Sequence, residues 1–138
     1  MEALHYFNSG YNCAESVLLA LSDYTGIFCE CIPAVAAGFG GGMKMGSVCG
    51  AVTGAVMGIG LLHGGTDTKA RKHVNQLVKT FMEQFKKEYY TIVCRDLLGV
   101  DVLTEEGIQH YKKANLRRQC ENYVMTSFQI AKTLLASE

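Results

Sequence analysis

The sequence predicts an all-α fold: a compact single-domain helical bundle with a glycine-rich central helix. Three observations carry this reading. Apolar residues recur at helical spacing along most of the chain. Cap and stop residues stand at the ends of those stretches. No segment alternates apolar and polar residues as a half-buried strand does, and no repeat of 20–50 residues is visible. The 138 residues fit one domain, 1–138, large enough to bury a core without disulfide staples.

In chain order, residues 2–8 read as a short helix stopped at Gly10. Asn12 caps a second helix, and Glu15 three places on completes a capping-box pattern. Val17, Leu18, Leu21 and Tyr24 form its apolar stripe, and Gly26 its stop. Pro33 suits the first turn of a short helix over Pro33–Ala37, followed by the glycine-dense Gly38-Phe39-Gly40-Gly41-Gly42. Ser47 caps a helix running to about Leu62. Thr66 and Asp67 open a long one in which Val74, Leu77, Val78, Phe81, Phe85 and Tyr89 repeat at helical spacing. Cys94 to Leu98 is one turn or two ending at Gly99, and Thr104 to Lys113 a weaker helix. The last runs from about Leu116 to Ala136, with Cys120, Val124, Ser127, Ala131 and Leu134 on one face.

Composition narrows the function classes. At 49% hydrophobic and 19% charged residues the chain is no disordered linker. Its 13 basic and 13 acidic residues cancel, which argues against a dedicated nucleic-acid binder. Only five charges precede residue 66, so the first half is expected to supply the buried centre and the second half amphipathic helices around it. The N-terminal residues carry no secretory signal pattern, which points to the cytoplasm, where thiols stay free or serve metal and redox chemistry. The four histidines are scattered, and the small basic clusters, Arg117-Arg118 among them, read as solvated helix faces.

Eleven of the fifteen glycines lie between Gly38 and Gly65. The first part of that stretch fails the phosphate-loop spacings: position 43 is methionine, and the nearby Lys44 is followed by Met45. A turn that lets backbones pass closely is the plainer account. Gly46, Gly50, Gly54 and Gly58 recur every four residues, along one side of a helix. Each costs up to about 1 kcal/mol relative to alanine, and close helix–helix contact is the usual compensation. Met45 to Leu62 is uncharged over 18 residues, but glycine, serine and threonine dilute it. A buried central helix therefore suits it better than a membrane span.

The six cysteines, Cys13, Cys29, Cys31, Cys49, Cys94 and Cys120, include no C-x-x-C pair, which excludes a zinc ribbon or finger. Inert packing is the plain alternative, because free cysteine is among the most buried residue types. Cys13 after Asn12 and Cys49 after Ser47 fall in first turns of helices, where free N–H groups lower a thiol pKa. Cys94 shares this setting less clearly, and Cys120 lies on the inward face of the last helix.

Met43 to Gly60, centred on Cys49-Gly50-Ala51-Val52-Thr53-Gly54, resembles the CGAxxG family of redox-active proteins, labelled C_GCAxxG_C_C. Gly10-Tyr11-Asn12-Cys13-Ala14-Glu15-Ser16 is similar to its first cysteine motif and Gly38-Phe39-Gly40-Gly41-Gly42-Met43 to its glycine loop. Cys94-Arg95-Asp96-Leu97-Leu98-Gly99 and Cys120-Glu121-Asn122-Tyr123-Val124 resemble its third and fourth cysteine sites. The resemblance implies a small redox-active protein using Cys13, Cys49, Cys94 and Cys120, with an unidentified redox partner linked to a transporter. Cys29 and Cys31 stand outside the pattern, as an auxiliary thiol pair, a metal contact or variable extras.

Three readings of the thiols remain open at this point. In the first, the four thiolates hold an iron–sulfur cluster or a zinc ion, with N–H groups of the glycine-rich segments, Gly42 and Gly50 among them, tuning its potential. In the second, Cys49 attacks as a low-pKa thiolate and Cys13 resolves the mixed disulfide. In the third, the chain is a helical interaction or oligomerisation module. Its cysteines then only pack, and the Gly46–Gly58 side makes a homodimer.

Overall fold

The computed structural model describes residues 2–136 and is all-α, as the periodicity predicts. Its helices are α1 (Ala3–Asn8), α2 (Cys13–Thr25), α3 (Gly50–His63), α4 (Thr68–Tyr89), α5 (Cys94–Leu98), α6 (Glu105–Lys113) and α7 (Arg117–Ala136). A 3₁₀ helix, Ala34–Phe39, and a wide turn, Gly42–Gly46, lie between α2 and α3. Pro33 precedes the 3₁₀ helix rather than opening it. Among the described residues no helix is long and apolar enough to cross a membrane.

The caps at Asn12 and Asp67 form as read. Asn12 Oδ1 accepts the Glu15 N–H at 2.8 Å, and Glu15 Oε1 accepts the Asn12 N–H at 2.9 Å. Asn12 Nδ2 also donates to the Ala37 carbonyl at 3.0 Å, tying the 3₁₀ helix to the start of α2. Gly26 and Gly99 end α2 and α5 in the left-handed conformation that glycine adopts at little cost. Asn12→Ala removes the cap and the tie together. It should cost about 1–2 kcal/mol and lower Tm by roughly 3–8 °C, read by urea and thermal unfolding.

The core forms where α2 lies against α3, with α4 and α7 completing it. Val17, Leu21, Val52, Ile59, Phe81, Phe85 and Val124 are buried there. Both halves of the chain thus contribute to the centre. The charge-poor half supplies α2 and α3, and the charge-rich half contributes the inward stripes of α4 and α7.

The glycine ridge is real but shorter than the spacing suggests, and it faces inward. A Cβ on Gly54 would stand 2.5 Å from the Ala14 carbonyl oxygen, and one on Gly58 2.4 Å from Leu21 Cδ1. The ridge is therefore spent on contact with α2 of the same chain. That overturns its use as a dimer face. Gly46 lies outside the helix, at φ 65° beside Arg95.

The start of the central helix also moves. It begins at Gly50, not Ser47, so Cys49 is itself the cap residue. The cause is a long-range pairing: Val48 and Val93 form an antiparallel bridge. The backbone at Ser47, with φ −83° and ψ −136°, is not helical, and Val48 is committed to the bridge.

Candidate functional site

Four separate segments deliver four free thiols to one cavity of about 430 Å³. Cys13 is the first residue of α2, Cys49 caps α3, Cys94 opens α5, and Cys120 sits in the second turn of α7. The Val48–Val93 bridge places two of them. Cys49 N–H donates to the Ile92 carbonyl at 2.7 Å, and Cys94 N–H donates to the Ser47 carbonyl at 2.6 Å. Two chain segments 45 residues apart are thus pinned side by side, each turning at once into a helix.

The glycine-rich turn closes one wall. Gly41, Gly42, Met43, Lys44 and Gly46 all have positive φ, between 59° and 65°. Two of these carry side chains, which costs conformational energy in the left-handed region. Such strain is characteristic of functional segments. Gly40, Gly41 and Lys44 line the cavity, as does Gly50. Gly42, expected to face a bound group, does not line it. It is buried, and a Cβ there would meet Ser47 N at 2.4 Å and Cys94 Cβ at 2.9 Å. Its role is to let the turn pass under Cys94.

Burial and local hydrogen bonds sort the thiols differently from the expectation. Burial pushes Cys49 up to about 12, although the N–H groups of Ala51 and Val52 at the helix start pull the other way. Removing a thiolate from water outweighs two N–H groups here. Burial likewise raises Cys94 to about 11. Cys13 is raised well above its ordinary value, first because its thiol hydrogen-bonds Cys120 and next because it is buried.

Cys120 is the low-pKa thiol, lowered to about 7. The Cys13 thiol donates to it, the Tyr111 hydroxyl approaches its Sγ at 3.6 Å, and the Arg117 charge lies one turn earlier on α7. These effects together exceed the cost of its burial.

Three further side chains contribute, and two of them, Tyr111 and Arg117, lie outside the cysteine motifs. Tyr111 on α6 reaches Cys120 because the chain reverses through Asn115, at φ 52°. Tyr123 lines the cavity and donates its hydroxyl to the Leu97 carbonyl at 2.9 Å. Arg117, read as part of a solvated cluster, folds back onto the first helix. Its guanidinium stands 3.9 Å from the Phe7 ring centroid and donates to the Phe7 carbonyl at 2.9 Å. Asn115, whose residue type tolerates the left-handed region, is the one local signal for this reversal.

Among the described residues, no three or more His, Cys, Asp or Glu side chains close round a point where a single metal ion would sit. Cys29 and Cys31 are apart from the cavity, joined to one another by a disulfide on an exposed loop. No curated protein and no solved structure matches the chain. A family model, described as "Putative redox-active protein (C_GCAxxG_C_C)", does match, over residues 11–134. That span takes in the whole thiol cavity except its Phe7 and Gly10 edge, and the chain belongs to this family.

Proposed function

We propose that the chain is a thiol-based redox carrier in which Cys120 and Cys13 exchange with a partner disulfide at the cavity. The observation that carries this is the meeting of Cys13 and Cys120, from different helices, in one cavity, where the Tyr111 hydroxyl lies 3.6 Å from Cys120 Sγ. Both are half-buried, whereas Cys49 and Cys94 are only 4% and 8% exposed. The Cys120 thiolate attacks one sulfur of the partner disulfide, and the other sulfur leaves as a thiolate. Cys13 then loses its proton and attacks Cys120 Sγ, releasing the partner's second thiolate. The partner gains two electrons, and a Cys13–Cys120 disulfide remains. Arg117 and Lys44 are the cations lining the cavity and favour the anionic sulfur at each stage.

A second reading is favoured by the convergence of four thiols where exchange needs two. A wall-to-wall cavity of about 430 Å³ suits a multi-atom iron–sulfur cluster held by Cys13, Cys49, Cys94 and Cys120. Such a group would supply one-electron transfer.

Protein purified without oxygen separates the two. Under the exchange reading it carries no stoichiometric iron or sulfide. Titrated against glutathione redox buffers and alkylated, it should then show one two-electron transition, mapping to a Cys13–Cys120 disulfide. Stoichiometric iron and acid-labile sulfide would establish the cluster reading instead. Metal-free protein in which Cys13 and Cys120 never cross-link would refute exchange.

A further inference from the structure

We infer that Cys29 and Cys31 form a second, surface thiol–disulfide site that exchanges two electrons with a partner's vicinal dithiol, independently of the cavity. The two sulfurs are bonded across a single intervening residue, Glu30, with both cysteines exposed. A structural disulfide stabilises chiefly by closing a long loop in the unfolded chain. A separation of two residues closes almost none, and the domain has its own hydrophobic core. Little structural return is left for this bond. Exposed disulfides, by contrast, are the labile and reactive ones.

The geometry also assigns direction. The Cys31 backbone N–H donates to Cys29 Sγ at 3.3 Å. That contact stabilises negative charge on Cys29, making it the better leaving group. A partner thiolate therefore attacks Cys31 Sγ. The Cys29–Cys31 bond breaks with its electron pair going to Cys29, which then takes a proton. The partner's second thiolate attacks its own sulfur in the mixed disulfide, releasing Cys31 as a thiolate that is protonated in turn. Two electrons and two protons pass from the partner dithiol, which becomes a disulfide. In the reverse reaction the Cys29 and Cys31 thiols return two electrons to the partner's disulfide, and the Cys29–Cys31 bond forms again.

The site lies outside the thiol cavity: the Cys29–Cys31 loop follows the end of α2 opposite Cys13, and neither cysteine lines the cavity.

The test uses the whole chain, with dithiothreitol as the dithiol probe and glutathione disulfide as the oxidant, followed by alkylation and mapping of the peptide that holds both residues. The pair should reduce and reoxidise reversibly, and equally well in a Cys13→Ser, Cys120→Ser double variant. In Cys29→Ser, glutathione disulfide should load Cys31 as a mixed disulfide. Two free thiols at every oxidising ratio would overturn the inference, as would a disulfide that survives excess dithiothreitol. Loss of reversible exchange in the double variant would overturn its independence. Because the readout is this one peptide, failure of the cavity reading leaves the result interpretable.

Discussion

Replacing Cys120 with serine should reduce the attack rate on a small aromatic disulfide by at least about 50-fold at pH 7. A thiol with pKa near 7 is about half ionised there, while one near 9 is about 1% ionised, and the thiolate is the attacking species. Cys49→Ser should leave the first attack within about twofold of the parent, because burial holds Cys49 near 12. This reverses the ranking drawn from helix starts. The rate in the parent should rise with pH through about 7 and then level, since the lowered pKa brings the thiolate in early. Cys13→Ala should move that rise to higher pH, because the largest influence holding Cys120 down is the bond from Cys13. Tyr111→Phe should move it the same way by less. Stopped-flow absorbance across pH 5.5–9.5 reads all four variants. An unmoved profile in Cys13→Ala would remove the thiol pair from the mechanism, even if Cys120→Ser proved poorly folded.

What was legible in advance followed locality. Asn12 and Glu15 are three residues apart, so their reciprocal bonds can be read from the residue types alone. The same holds for Gly26 and Gly99, which end helices by their own backbone freedom. The inward glycine ridge was readable as a ridge, but its partner was not. Nothing at Gly54 announces that Ala14, 40 residues earlier, will fill the groove. The Val48–Val93 bridge was invisible for the same reason: two single residues carry no strand pattern. Because of it, the helix start slipped from Ser47 to Gly50. The four cavity cysteines were assembled by family resemblance, while their spacing along the chain is mute. Their pKa order could not be read either. Helix-start N–H groups are a local feature and do act on Cys49, but the burial that outweighs them is a property of the packed whole.

Gly54→Val is expected to give the largest loss of stability of any single change on the α2–α3 contact, about 3 kcal/mol or more in urea unfolding. The Cβ would lie 2.5 Å from the Ala14 carbonyl oxygen and 3.0 Å from Ala14 Cα. Both are backbone atoms inside a hydrogen-bonded helix, so no side-chain rotation relieves the clash and the two helices must separate. Valine's better helix propensity than glycine returns only a few tenths of a kcal/mol. Gly58→Ala meets Leu21 side-chain atoms instead, which can shift, and should cost less. Gly60→Ala on the same helix meets nothing within 4 Å and should stabilise by up to about 1 kcal/mol, the propensity difference alone. A common sign across the three would show that glycine content, rather than contact with α2, governs this helix. The Gly54 variant also bears on the site, because α2 begins with Cys13 and α3 is capped by Cys49. Separating the helices moves these two thiols apart. Cys49, buried in the parent, should then alkylate faster at a denaturant concentration where the variant is still folded.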